Sequence, residues 1–506
     1  MDNVPNAHGP AQQERPSGDR REGDRLPRGG LRRDPAAAAG ESHDLIVIGG
    51  GIYGAMVTLE AARRGLRPLL LERDDFGGAT SWNSHRIVHG GLRYLQRLDL
   101  PRFLTSVRER RWFLQHFPDL VRPLPCLMPL YGEGARRPSV MRLALAVNHA
   151  LSRRRNDGVR WDCRLESGGV MTRGETLALF PGARPEGLRG GALWYDAVMN
   201  DSQRLLIEVL RWASACGARA LNYVEATAVT IAGGRVDGVE ATDRVEDTSL
   251  MFRAPVVINC AGPWSAVLAR TLAGEVDGLF RPSLAFNLLF ERAAPSEVAV
   301  AVSAPGHGAH TWFLYPRAGL LYAGTAHYPW THDEPKPHAT RAQIDEVIEQ
   351  LNAAVPQLEL RRHQVLRVYA GLLPATAADS AELSDRPVIH DHSRDDGGPA
   401  GLVSVSGVKY TTARDVAEQA LRCALPAMPP LEAESDRPPA AELPSLVVND
   451  HGKLPGPATE ALRRFAAAEA VVHTEDLLLR RGAWADDPRR QQGMEDAVDA
   501  ALRRQS

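Results

Sequence analysis

Short apolar runs that end on glycine recur along the chain, and several are followed by stretches with a helical apolar period. At 45–48 the run Leu-Ile-Val-Ile leads into Gly49, Gly51 and Gly54. Ala55, Leu59 and Ala62 then share one helical face, which Gly65 can stop. A second apolar run over 68–71 delivers Glu72 at a strand end. The pattern over 202–216 predicts an amphipathic helix, with Leu205, Leu206, Val209 and Leu210 on one side and Gly217 as its stop. Residues 226–229 and 235–240 predict strands around the Gly233-Gly234 turn, and 256–259 a buried strand running into Ala261-Gly262-Pro263-Trp264. Residues 320–324 and 402–405 repeat the motif of strand followed by glycine. Such alternating blocks predict an α/β chain in which a Rossmann-like dinucleotide domain is interrupted by a mixed, mostly antiparallel substrate domain.

The order strand, glycines, helix, strand, acid carries chemistry as well as fold. Gly49, Gly51 and Gly54 have the Gly-x-Gly-x-x-Gly spacing, with Ile52 opening the helix. Bare backbone there lets a pyrophosphate approach amides at a helix N-terminus, where the dipole favours negative charge. Glu72, about 20 residues further on, is placed to accept the hydroxyls of an adenosine ribose. An adenine dinucleotide is the expected ligand.

At 506 residues the chain exceeds one compact core, and a net charge of -2 argues against nucleic acid as the main partner. Lys336, Lys409 and Lys453 are its only lysines among many arginines, which draws attention to each. Cys126, Cys163, Cys216, Cys260 and Cys423 are far apart without metal or redox spacing and read as reduced, intracellular side chains. No run of 18 apolar residues is present. Residues 1–42 are rich in Pro, Gly and Arg and poor in large apolar residues, so a disordered tail is expected. Gly- and Pro-rich breaks fall at 391–401 and 426–444.

Downstream of Glu72 come Asp75-Phe76-Gly77-Gly78-Ala79-Thr80-Ser81 and His89-Gly-Gly-Leu-Arg-Tyr-Leu95. With Leu120-Val-Arg-Pro-Leu-Pro125, Cys260-Ala-Gly-Pro-Trp264 and the terminal Thr474-Glu-Asp-Leu-Leu-Leu-Arg-Arg481, the chain from Asp44 to Arg481 resembles the FAD-dependent glycerol-3-phosphate dehydrogenases. These belong to the D-amino-acid-oxidase-like flavin oxidoreductases. The resemblance implies a cofactor, FAD, that takes a hydride at N5 from the secondary alcohol of sn-glycerol 3-phosphate, giving dihydroxyacetone phosphate, with quinone or oxygen as electron acceptor. It implies an oxidoreductase unit over 43–425, with FAD-binding segments near 43–125, 196–270 and 380–425 and substrate segments near 126–195 and 271–379. A linker over 426–444 and a C-terminal helical domain over 445–506 follow.

By the same resemblance, Thr80, Ser81, Gly90, Gly91 and Gly262 lie along the pyrophosphate and flavin ring, where small residues suit a close approach. Ser406-Gly407-Val-Lys409-Tyr-Thr411-Thr412 matches the family's Gly-Gly-Lys-x-Thr-Thr element, with Val408 in place of its second glycine. It opens a helix whose amides are expected to face the flavin, with Thr411 and Thr412 as caps. Lys409 is expected to face either the flavin or an anionic substrate. Arg93 and Tyr94 match substrate positions, since a guanidinium fork suits a phosphate; an ion pair beneath the flavin is the other reading for Arg93. His89 is a candidate proton acceptor and equally a structural histidine.

Two departures fall on the substrate side. The family's Gly-x-Arg-Pro element, whose arginine clamps the phosphate, is Gly371-Leu-Leu373-Pro374 here. Arg367 lies six residues away on the same strand face, about 20 Å at roughly 3.3 Å per residue, and is no simple substitute. The family's Gly-Thr-Thr-Asp is Gly324-Thr-Ala-His327, which makes His327 a titratable, candidate catalytic ring on the expected substrate side. The leading expectation is oxidation of glycerol 3-phosphate or a close relative. An oxidoreductase of another polyol, hydroxy acid or amine stands second, and a non-catalytic flavin-binding scaffold third. Residues 140–151 predict an amphipathic helix followed by Arg153-Arg-Arg155, which fits either a membrane surface or packing on the substrate domain. The expected location is cytoplasmic, with a peripheral place on the inner face of the cell membrane as the variant this helix suggests.

Overall fold

Leu45–Ile48 is buried at all four positions because it lies inside a six-stranded sheet. The order is Val388–Asp391, Leu402–Ser406, Val257–Asn259, Leu45–Ile48, Pro68–Leu71, Arg219–Leu221, parallel except for the first, antiparallel edge strand. The computed structural model describes residues 29–503 apart from 133, 274–275, 277, 307–308, 332–335, 432–436, 447–453 and 485. Alternate residues of the sheet feed two cores, as a strand's period of two dictates. Leu45, Val47, Leu70, Ile258, Val403 and Val405 pack against the helices Ile52–Ala62, Ser202–Ala215 and Ala413–Ala424. Ile46, Ile48, Leu69, Leu71, Val257 and Leu402 pack against a small antiparallel sheet built from Val224–Ala232, Arg235–Asp243 and Thr248–Arg253.

The second large sheet is mixed. Its path runs Val365–Pro374, Pro282–Phe290, Leu320–Pro329, Thr311–Arg317, Ala299–Ser303, Val121–Leu130, Gly190–Met199, Ile87–Val88, with Gly169–Met171 beside Gly190–Met199. All pairs are antiparallel except Ala299–Ser303 with Val121–Leu130. Val121–Leu130 and Gly190–Met199 pair along their whole length, so both strands straddle the expected segment ends at 125 and 195 and belong entirely to this sheet. One face is closed by Val347, Ile348 and Leu351 of the helix Arg341–Ala354. The other carries Tyr315, Tyr322 and Tyr369, with Trp82 packed against them.

Two expectations change and one is extended. The expected tail over 1–42 is ordered from residue 29: Leu31 is buried and its amide donates to Ala468 O at 2.7 Å, Arg33 pairs with Asp243, and Asp34 caps the helix Pro35–Ala39. The segment is held because it docks on surface that other elements provide, with further bonds from Arg33 to Asn222 O and from Ser214 to Gly30 O; residues 1–28 lie outside the described residues. Ser202–Ala215 is amphipathic as expected, but its polar face is buried as well as its apolar one. On the polar face Arg204 and Arg211 each pair with Glu208 and with Glu469 of the C-terminal unit. The stretch 437–446 in the expected linker region is also fastened, by Ala441 N donating to Glu208 Oε1 and by Arg211 donating to Pro439 O.

The C-terminal unit comprises Gly456–Ala468, the π-helical turn Asp476–Arg481 and Pro488–Leu502. Arg481 grips buried Asp75 through two hydrogen bonds of 2.6 and 2.8 Å, three residues after Glu72. Among the described residues no helix is long and apolar enough to cross a membrane.

Candidate active site

Parallel strands deliver their C-terminal ends to one rim, and that is where the predicted cofactor residues meet. Ile48 hands over to Gly49, Leu71 to Glu72, Asn259 to Cys260-Ala261-Gly262 and Ser406 to Gly407. Gly49 has φ +105°, and a Cβ on it would lie 2.5 Å from Cys260 O. A Cβ on Gly54 would collide with Gly49 O, so the first turn of the helix presses directly on the strand end. Gly407 is filled in the same way by the Tyr53 ring, whose hydroxyl sits 2.9 Å from Lys409 N and 2.8 Å from Lys409 O.

Ser81 Oγ accepts from Ile52 N at 2.9 Å, taking one of the amides left open at the helix start. Glu72 Oε2 accepts from Gly50 N at 2.6 Å. Burial pushes its carboxyl up to about 7, with the Asp74 and Gly50 amides opposing. Thr80 Oγ1 donates to Leu372 O at 3.0 Å, which ties this rim to the strand carrying Leu373. Thr411 Oγ1 accepts from His89 N at 3.1 Å. Thr412 occupies the N-cap of Ala413–Ala424 without a side-chain cap bond, and Thr411 is engaged elsewhere, so neither threonine caps the helix as expected.

His89-Gly90-Gly91 is held from below by a residue the sequence reading missed. Asp196, from Gly190–Met199, accepts from Gly90 N at 2.5 Å, Arg110 Nη1 at 2.9 Å and Trp194 Nε1 at 3.1 Å, and its Oδ2 lies 3.6 Å from His89 Nδ1. Burial alone would raise the Asp196 carboxyl, but His89, Arg110 and the Gly90 amide together hold it below the ordinary carboxylate range. No spacing in the sequence links Asp196 to His89; only strand pairing does.

Arg93 stands exposed on the short helix Leu92–Gln96, while Tyr94 is buried with Phe103 and Val107. Lys409 Nζ lies 4.4 Å from the centre of the Tyr94 ring. Burial, and then the Arg93 charge, push the Lys409 ammonium down to about 8. Neither Arg93 nor Lys409 has a carboxylate partner among the described residues, in a chain whose arginines are otherwise extensively paired.

Further histidines line the side where the substrate is expected. His85 Nδ1 meets Asn287 Oδ1 at 2.8 Å, the ring stacks on Tyr322, and Nε2 is buried without a partner among the described residues. His327 also keeps a buried, unpartnered Nδ1, and its ring centre is 6.4 Å from that of His310. Burial pulls His85 to about 3, with His89 and His327 adding to it, and His327 to about 4, with His310 and Arg93 adding to it. Both rings are neutral near pH 7. His85 and His310 escaped the sequence reading because neither lies in a motif. Arg367 turns away, donating to Gln491 Oε1 at 3.0 Å with its guanidinium over Trp82, so it does not replace the missing arginine.

A rim of backbone that added Cβ atoms at Gly49 and Gly54 would fill, a helix start and a carboxylate at the next strand end fit FAD. Residues 44–413 match the sequence profile of the family described as FAD dependent oxidoreductase, and the chain belongs to that family. More particularly, it is similar to the alpha-glycerophosphate oxidase of Streptococcus pyogenes serotype M1, 32% identical over 343 residues, which are 67% of this chain and 55% of the relative. The chain thus spans about half the length of that relative. It is 30% identical over 399 residues to the glycerol-3-phosphate dehydrogenase of Synechocystis sp., covering 75% of this chain and 69% of the other. Among solved structures, the FAD complex of glycerol-3-phosphate dehydrogenase from Bacillus halodurans superposes with a TM-score of 0.60 at 25% identity, over 80% of this chain and 69% of that one.

Proposed function

We propose that this chain is an FAD-dependent dehydrogenase that oxidises the secondary alcohol of sn-glycerol 3-phosphate or a close relative. The observation that carries the reading is the pair of cations, Arg93 and Lys409, left without carboxylate partners beside the cofactor rim. Two such charges in one place hold an anion, and an arginine fork with an ammonium suits a phosphate ester. FAD, when bound, supplies the hydride acceptor. Asp196 draws the Nδ1 proton of His89 toward itself and leaves Nε2 free to accept the proton of the substrate hydroxyl. From the present 3.6 Å separation a small turn of the His89 ring makes this a hydrogen bond. Gly90 and Arg110 keep the Asp196 charge in place throughout. Anaerobic addition of glycerol 3-phosphate to the yellow protein is expected to bleach the flavin absorbance; no bleaching at high substrate concentration rules out this substrate.

A second reading, a different anionic or polar alcohol, hydroxy acid or amine, is favoured by Leu373 and the His310–His327 pair. Neutral imidazoles donate one hydrogen bond each and do not neutralise a dianion as the family's arginine does. Leu373→Arg separates the two readings. A large gain in glycerol 3-phosphate affinity together with loss of bleaching by another compound supports the second.

The electron acceptor in this proposal is a membrane quinone. The helix Pro138–Leu151 buries Met141 and Leu145 but exposes Val140, Leu143, Val147 and Leu151 in one stripe, next to exposed Arg153 and Arg154. Sedimentation with anionic vesicles, lost in Leu143→Glu, tests this; equal sedimentation of both proteins, or of neither, dismisses it.

A further inference from the structure

At the end of Leu402–Ser406 away from the cofactor rim, the edge hairpin gathers His390, His392 and Asp395. His390 Nε2 lies 2.8 Å and His392 Nδ1 3.6 Å from Asp395 Oδ2, and one donor atom from each residue falls within 4.8 Å of the others. His392 has no exposed surface (0%), and its Nδ1 has no hydrogen-bond partner among the described residues. Buried ring nitrogens are seldom left that way. Its other nitrogen, Nε2, is 2.9 Å from Ser404 Oγ. The hydrogen bond between His390 and Asp395 accounts for those two residues but leaves His392 Nδ1 unexplained.

We propose that His390, His392 and Asp395 form a binding site for one divalent cation of the zinc class. Two imidazoles and a carboxylate select such an ion over magnesium or calcium, which take oxygen ligands. Zinc bonds of about 2.0–2.2 Å place tetrahedral donors about 3.4 Å apart, so the present donors need only a modest turn of the outer side chains. His390 and Asp395 retain 25% and 37% side-chain exposure, which gives the ion a way in and water the fourth position. The contact between His392 Nε2 and Ser404 Oγ is the outer-shell bond that fixes a ligating histidine with Nδ1 toward the metal. Ser404 Oγ in turn accepts from Asn259 Nδ2 at 3.1 Å, and Asn259 Oδ1 accepts from Ala261 N at 3.1 Å. A bound ion would therefore brace, through three side chains, the turn that carries Gly262 at the cofactor rim.

The test uses the full-length, flavin-loaded protein, stripped by dialysis against a chelator and titrated with Zn²⁺ against a chromophoric competitor. One equivalent is expected to bind and to raise the melting temperature. His390→Ala and Asp395→Asn, on the open side of the cluster, are expected to weaken zinc by more than the roughly 10–100-fold that loss of an outer partner costs. Their flavin content and zinc-free melting should match wild type, which separates loss of a ligand from loss of the fold. Wild-type protein that takes up no zinc, or variants that hold the same equivalent as tightly, overturn the proposal.

Discussion

The cofactor rim and the substrate side are built on opposite plans. At the rim, glycine backbone is in tight contact: Gly54 against the Gly49 carbonyl, Gly49 against the Cys260 carbonyl, Gly407 against the Tyr53 ring. The polar side chains there already have partners, Glu72 with Gly50 and Ser81 with Ile52. On the substrate side the polar groups stand open, with Arg93 and Lys409 unpaired and buried nitrogens of His85 and His327 unpartnered among the described residues. A site specified by backbone shape tolerates almost no added atom. A site specified by open polar groups tolerates substitution and changes its preference instead; of the departures from the family pattern, Leu373 and His327 are expected on that side, and Val408 stands in the element expected to face the flavin.

The largest expected effect breaks the first plan. Gly54→Ala puts a methyl group on the Gly49 carbonyl, and overpacking of this kind costs about 1–3 kcal/mol even where neighbours can move. Here the neighbour is backbone, so flavin should be lost almost entirely, read as the flavin-to-protein ratio after gel filtration. Full retention would mean the cradle is looser than its geometry says. Asp196→Asn comes next. It leaves buried Arg110 without its counter-charge, a change that typically costs about 3–5 kcal/mol, and it removes the group that orients His89. Denaturant unfolding should show the loss, and any bleaching that survives should be slower at saturating substrate rather than merely need more substrate.

The same contrast decides what could be read without coordinates. Glycine spacing, a strand and an acid are local, so the rim was legible from Gly49 to Glu72, and parallel pairing then brought Gly262 and Gly407 to it. The substrate side is assembled by long-range pairing across the mixed sheet. Asp196 reaches His89 only because Ile87–Val88 pairs with Val198 and Ala197, and His310, just before Thr311–Arg317, reaches His327 because that strand pairs with Leu320–Pro329. Nothing local in the sequence announces either. The N-terminal strap around Leu31 was missed for a related reason: composition reports whether a segment can fold alone, not whether it can dock.

Lys409→Met should have opposite effects on stability and binding. The ammonium titrates near 8 in the fold and near 10.4 when unfolded, so between those values the unfolded chain binds more protons and stability rises with pH. Below pH 8 the buried charge costs stability in full, and the methionine variant should therefore be the more stable protein there. Substrate affinity should fall by roughly 10–100-fold, in line with the 1.5–3 kcal/mol of a hydrogen bond to a charged group. In wild type that affinity should weaken as pH rises past 8, and in the variant it should lose this dependence. Denaturation curves and half-bleaching concentrations at pH 7 and 9 check both signs.

The smallest effect on substrate is expected at Arg367, and it sharpens the comparison most. Its guanidinium lies 5.4 Å from the Trp82 ring centre and 5.9 Å from that of Tyr369, and its hydrogen bond goes to Gln491 of the C-terminal helix. Arg367→Met should lower stability by about 1–2 kcal/mol, the size of one hydrogen bond and a half-buried cation–π contact. The half-bleaching concentration should move less than about twofold, because a change under about 0.4 kcal/mol is all that a residue outside the anion site is expected to transmit. A tenfold rise would place Arg367 in the substrate site despite its distance from Leu373, and the anion would then be held by three cations rather than by Arg93 and Lys409 alone.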